Sequence, residues 1–231
     1  MWLGGGSVRA RSHPIDMASF VSGGKQIRIV QHEPKGAGPH AAIVLVHGSG
    51  GNVSFWADQI APYLERLNLA LYVVHYFDRT GTTRADFATI TDGVHFPAWL
   101  GTLADAVAYV RSRPGVDADR IVLLGISLGA FLSLTLATDA AMKIRAVVEL
   151  SGGLPEQFAG GATSDFPPTL IVHGAEDNVV PVASAHALDA LLTRLNVVHQ
   201  TLILPRQGHW FDGGGQMQIL LAVGGFLAQQ L

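Results

Sequence analysis

The stretch Gly125-Ile126-Ser127-Leu128-Gly129 holds a serine between two glycines. The apolar run Ile121–Leu124 precedes it, and a helix-like segment, Leu128–Thr138, follows. Five residues alone also fit an ordinary glycine-rich connection. The strand before and the helix after favour a nucleophile on a tight turn, with the glycines making room for the close backbone approach. Such a turn lifts the Ser127 hydroxyl out at the carboxyl end of a sheet. It also leaves the Leu128 N–H at a helix start, where an oxyanion would form.

A serine hydroxyl needs a base, and the base needs an orienting acid. Among ten histidines, His209 is the candidate base. It lies in RQGHWF, just past the last strand-like run, where loops at strand carboxyl ends carry functional groups. His47 and His173 each precede a glycine at a strand end and read as packing or turn residues. His32, His40, His186 and His199 have surface-like neighbours. Asp177, in HGAEDNVVP after the run Thr169–Val172, is the candidate acid. It would fix the imidazole tautomer and stabilise imidazolium. Its plainer reading is a turn residue before Pro181. Glu149, inside a strand, is the second-choice acid.

A second oxyanion donor is expected from the loop His47–Asn52, HGSGGN, with the Ser49 amide preferred over that of Gly50. That loop lacks the lysine and spacing of a phosphate loop. Gly50, Tyr76, Arg79 and Trp210 are the candidate substrate-binding residues. Phe77, Trp56, His95 and Trp99 read as core. Arg79 could hold an anionic group, though a structural ion pair accounts for it equally well. No histidine spacing suggests a metal, and no cofactor is expected.

These side chains need a frame. Ile27–Gln31, Ala41–Val46, Leu69–Val74, Ile121–Leu124, Arg145–Leu150, Thr169–Val172 and Gln200–Leu204 read as strands. Most are short apolar runs without alternation, as in a parallel sheet buried on both faces. Helical patterns lie between them: Ser54–Arg66, Ala98–Arg113, Leu128–Thr138, Ala183–Leu195 and Met217–Leu231. Strands alternating with helices predict an α/β domain with a mostly parallel central sheet and helices on both faces. The connection 76–97 shows no clear periodicity and is a candidate wall of the site. Residues 1–24, rich in glycine and arginine at the start, read as a flexible lead-in, and 25–231 as one domain.

Composition narrows the function classes. Of 231 residues, 48% are hydrophobic and 14% charged, which fits a well-buried core and argues against disorder. The net charge of −3 offers no footprint for nucleic acid. With no cysteine, disulfides, thiolate metal sites and a cysteine nucleophile are excluded. No apolar run approaches the ~20 residues that span a bilayer, and no membrane partner is expected. The expected location is cytoplasmic, and the oligomeric state, monomer or dimer, stays open.

Taken together, the chain resembles the α/β-hydrolase superfamily, and within it the dienelactone hydrolase-like branch. The matching residues are HGSGG at 47–51, HYFDRTG at 75–81, GISLG at 125–129, HGAEDNVVP at 173–181 and QGHWF at 207–211. The order Ser127, Asp177, His209 is that superfamily's order. The resemblance implies a single α/β-hydrolase domain without a large lid. Dienelactone hydrolases carry a cysteine at the nucleophile, a glutamate in the first oxyanion loop and an arginine soon after the histidine. Here Ser127, Gly48 and Trp210-Phe211-Asp212 stand instead. The expected activity is therefore serine hydrolysis of small carboxylic esters or lactones. A peptidase or thioesterase of the same fold, or a non-catalytic small-ligand binder, are the alternatives.

Overall fold

The apolar runs become the inner strands of one sheet. The computed structural model describes residues 16–231. In chain order the strands are β1 (Asp16–Ser22), β2 (Lys25–His32), β3 (His40–Val46), β4 (Ala70–Val74), β5 (Val116–Ile126), β6 (Ala146–Leu150), β7 (Thr169–Gly174) and β8 (His199–Leu204). The helices are α1 (Val53–Arg66), α2 (Phe87–Thr91), α3 (His95–Arg111), α4 (Leu128–Ala137), α5 (Glu156–Ala159), α6 (Ala183–Arg194) and α7 (Gly213–Gln230). The sheet order is β1-β2-β4-β3-β5-β6-β7-β8. Strands β3 to β8 run parallel, whereas β1 and β2 join antiparallel at one edge.

Alternation along each strand divides the core. Ala42, Val44 and Val46 face a cluster built with α3, α4 and α6. Ile43 and Leu45 face the opposite cluster, built with α1 and α7. Both faces are covered, which is why β3 and β4 are buried throughout and read as unbroken apolar runs. α4 is buried along nearly its whole length, with Leu128, Leu132, Leu134 and Leu136 all in the core. It sits beneath the central strands, and its N-terminus faces their carboxyl ends.

Several expectations are corrected. The domain starts earlier than residue 25: β1 pairs with β2 from Asp16↔Gln31 to Ser22↔Lys25, and residues 23–24 form the hairpin turn. This edge strand leaves Met17 and Val21 exposed, so it carries little hydrophobic signal. The part of the predicted lead-in over 1–15 lies outside the described residues. The connection 76–97 is not structureless; it holds a 3₁₀ turn (Tyr76–Arg79), all of α2 and the start of α3. His32 and His40 are buried rather than at the surface. No inserted lid domain interrupts the described residues, and no helix among them is long and apolar enough to cross a membrane.

Candidate active site

Ser127 follows the last residue of β5 and precedes the first of α4. Its backbone sits at φ 53°, ψ −119°, a conformation that costs a non-glycine residue energy and needs support from its surroundings. The supports are visible. Ser127 N–H donates to the Leu150 carbonyl at 2.8 Å, and the Ser127 carbonyl accepts from Ala130 N–H at 2.8 Å. A Cβ on Gly125 would collide with the Gly129 carbonyl, and one on Gly129 with that of Val46. The two glycines of the motif are therefore steric requirements of the turn.

His209 reaches Ser127 from the β8–α7 loop, with Nε2 at 3.0 Å from Oγ. Its Nδ1 lies 2.8 Å from Asp177 Oδ2 in the β7–α6 loop. A carboxylate can only accept, so Nδ1 carries the proton and Nε2 is left to accept from the serine hydroxyl. Asp177 Oδ1 accepts from Val179 N–H at 2.8 Å and Val180 N–H at 2.9 Å. Burial works to raise the Asp177 pKa, but the His209 hydrogen bond and the two amides outweigh it. The net direction is down, so the carboxyl stays ionised. Ser127, Asp177 and His209 are each buried, with only a sliver of surface.

The loop after β3 packs onto the serine. A Cβ on Gly48 would lie 3.3 Å from both Ser127 Cβ and the Ile126 carbonyl oxygen. Tyr76 Oη donates to the His47 carbonyl at 2.8 Å, and Ala85 N–H donates to that of Ser49 at 2.9 Å. His47 Nδ1 donates to the Gly48 carbonyl at 2.7 Å. In a trans peptide the C=O and the following N–H point in opposite directions. Anchoring the Gly48 oxygen on the His47 ring therefore turns the Ser49 amide away from that ring. Burial holds the His47 pKa down at about 4, so the ring is neutral. It stacks on Tyr76 with centroids 4.2 Å apart.

The predicted residues separate into two groups. Ser127, His209 and Asp177 come together; Leu128 opens α4 directly after the serine, and Ser49 and Gly50 lie on the loop between β3 and α1. Trp210 is exposed and meets the His209 ring edge-on at 5.0 Å. Tyr76 is fully buried, which corrects its reading as a pocket wall: it braces the His47 loop from below. Arg79 is also corrected. Its guanidinium covers the β1–β2 turn and donates to the Gly23 carbonyl at 2.9 Å. Glu149 is turned inward, accepting from Gly152 N–H at 2.9 Å, and Asp177 alone of the two acids is hydrogen-bonded to His209.

Sequence reasoning passed over three supporting residues. Fully buried His173 donates from Nε2 to the Val180 carbonyl at 2.8 Å and lies 3.3 Å from Asp177 Oδ2. Ser151, at φ 56°, places Oγ 3.4 Å from the His209 carbonyl. Gly152 packs against α4. A His-Gly pair at a strand end was the available signal for His173; for Ser151 there was none. Among the described residues, no group of three or more His, Cys, Asp or Glu side chains could hold a metal ion.

Sheet order, elbow and loop placement define an α/β-hydrolase fold. Residues 92–222 match the Phospholipase/Carboxylesterase family, and the chain belongs to that family. Among curated proteins, it is 28% identical over 184 residues to the uncharacterized protein YfhR of Salmonella typhi, covering 65% of this chain and 59% of YfhR. It is 34% identical over 107 residues to Esterase EstD of Thermotoga maritima, covering 43% of this chain and 24% of EstD. The matches thus span about three fifths and a quarter of those relatives' lengths. In structure the chain is similar to a dienelactone hydrolase-like promiscuous phosphotriesterase from metagenomic libraries, with a TM-score of 0.78, 20% identity and 94% and 98% coverage. A dienelactone hydrolase from Anabaena variabilis gives a TM-score of 0.76, 20% identity and the same coverage.

Proposed function

We propose that this chain is a serine hydrolase acting on small, neutral carboxylic esters or lactones through an acyl-enzyme. The observation that carries this reading is the continuous hydrogen-bonded path Ser127 Oγ–His209–Asp177, with links of 3.0 and 2.8 Å. His209 Nε2 takes the proton as Ser127 Oγ attacks the carbonyl carbon. Asp177 holds the imidazole tautomer and stabilises the imidazolium that results. The Leu128 and Ser49 amides receive the oxyanion, with Gly50 N–H the alternative to Ser49. His209 then gives its proton to the departing alkoxide. In the second half-reaction it activates a water that releases the acid and regenerates Ser127.

Neutral substrates fit the surroundings. Arg79, the candidate anion binder, is engaged at the Gly23 carbonyl. Exposed Trp210 beside His209 offers an apolar ring for an acyl or alcohol chain.

The test is hydrolysis of p-nitrophenyl acetate and butyrate by the wild type and by Ser127→Ala, with a fluorophosphonate probe on both. Turnover and labelling by the wild type, lost in the variant, support the reading. A wild type that neither turns over these esters nor takes the probe overturns it. Thioesters, peptide amides and lactones of graded ring size then place the substrate class.

A further inference from the structure

Glu149 is a fully buried glutamate that the proposed mechanism does not use. In β6 it is the register partner of Gly125 in β5. Neighbours in register on parallel strands share a face, and Val147, two residues earlier, belongs to the cluster that includes α4. The Glu149 side chain therefore enters the space beside α4 where Gly125 has none. There Oε2 accepts from Gly152 N–H at 2.9 Å, while Oε1 has no hydrogen-bond partner among the described residues.

The turn that follows touches both halves of the site. The Leu150 carbonyl accepts from Ser127 N–H at 2.8 Å. Ser151, in a left-handed conformation at φ 56°, donates its N–H to the Val172 carbonyl at 2.9 Å. Its Oγ reaches the His209 carbonyl at 3.4 Å. A Cβ on Gly152 would collide with Ala130, and would lie 3.2 Å from both Glu149 Oε2 and the Ser127 carbonyl oxygen. One short turn thus spans from the nucleophile's backbone to the base's backbone, and the Glu149 carboxyl holds it from inside.

We propose that Glu149 is a positioning residue: through Gly152 N–H its carboxyl fixes the turn 150–153, and with it the placement of Ser127 relative to His209. This rests on the serine-hydrolase reading above. The carboxyl does this work as a neutral acid at pH 7. Burial raises its pKa to about 8, opposed only by the Gly152 hydrogen bond, with no charged side chain contributing. A neutral amide can do the same; a hydrocarbon cannot.

The test compares Glu149→Gln and Glu149→Leu for kcat, KM and fluorophosphonate labelling, with thermal melts from pH 5 to 9. Glu149→Gln keeps kcat within about threefold of the wild type, whereas Glu149→Leu loses about tenfold to a hundredfold in kcat with KM nearly unchanged. Glu149→Gln also melts above the wild type by a margin that widens as pH rises. The sign follows from linkage: the unfolded carboxyl ionises near 4.5 and the folded one near 8, so the wild type alone loses stability across that window. If Glu149→Leu does not fold, Gly152→Ala takes its place, because it keeps the carboxyl and displaces the turn. A folded Glu149→Leu (or Gly152→Ala in its place) with wild-type kcat overturns the proposal. So does a Glu149→Gln that loses as much as the leucine. A wild type without turnover or labelling instead removes the serine-hydrolase reading itself.

Discussion

Gly48 and Ser127 lie side by side just past the paired ends of β3 and β5: a Cβ at residue 48 would sit 3.3 Å from the Ser127 Cβ. That separation is slightly tighter than normal packing, so Gly48→Ala has to push the loop off the serine by a few tenths of an ångström. The displaced group carries the Ser49 amide. The expected result is a folded enzyme with kcat lowered about tenfold, since a misplaced oxyanion donor forfeits part of the ~2.7–4 kcal/mol such a donor supplies. Steady-state kinetics with p-nitrophenyl butyrate measures it, and unchanged kcat would argue against Ser49 as a donor.

Tyr76 tests the same loop from beneath. Its hydroxyl is buried and donates to the His47 carbonyl at 2.8 Å. Tyr76→Phe leaves that carbonyl short of a partner and lowers stability by about 1–3 kcal/mol. Because His47 and Gly48 lose their brace together, kcat falls while KM changes little. Urea melts and kinetics on the same preparation separate the two effects. A variant with normal stability but raised KM would return Tyr76 to the substrate pocket.

Asp177→Asn addresses the acid. The amide can present an N–H to His209 Nδ1 and select the wrong tautomer, so kcat drops by about 10³-fold or more. The stability effect depends on pH. Asp177 ionises lower in the folded chain than its ordinary 3.8. Its contribution is therefore present above that value and lost as pH falls through the folded pKa. The melting difference between wild type and Asp177→Asn should be full at pH 6 and shrink toward acid. A difference constant from pH 6 to pH 2 would contradict the ionised, hydrogen-bonded carboxylate.

Gly129→Ala puts a methyl group into the Val46 carbonyl, a backbone atom that cannot swing aside. The expected cost is about 3 kcal/mol or more, at the upper end for overpacking. Circular dichroism melts check it. Near-native stability would show that the elbow has more room than its two glycines imply.

The features legible in the sequence share one property: their cause is local. GISLG declares a tight turn through Gly125, whose Cβ would strike Gly129 and Ala130 a few residues on, and strand and helix stand directly on either side. β3 and β4 announce themselves because burial on both faces requires an unbroken apolar run. Asp177 and His209 follow from their places just past strand ends. Direction and company were decided elsewhere. β1 is fixed by its pairing with β2 and by Phe20 stacking on Tyr109 of α3, and its exposed Met17 and Val21 conceal it. Tyr76 and Arg79 sit on the loop the sequence pointed to, yet one turns inward to His47 and the other back to Gly23. Ser151 meets His209 across 58 positions of chain. Sequence thus determined which residues could do the chemistry, because turn sterics and burial patterns act over short range. Only the tertiary structure decided which of them face one another, because that depends on register and crossover between segments far apart in the chain.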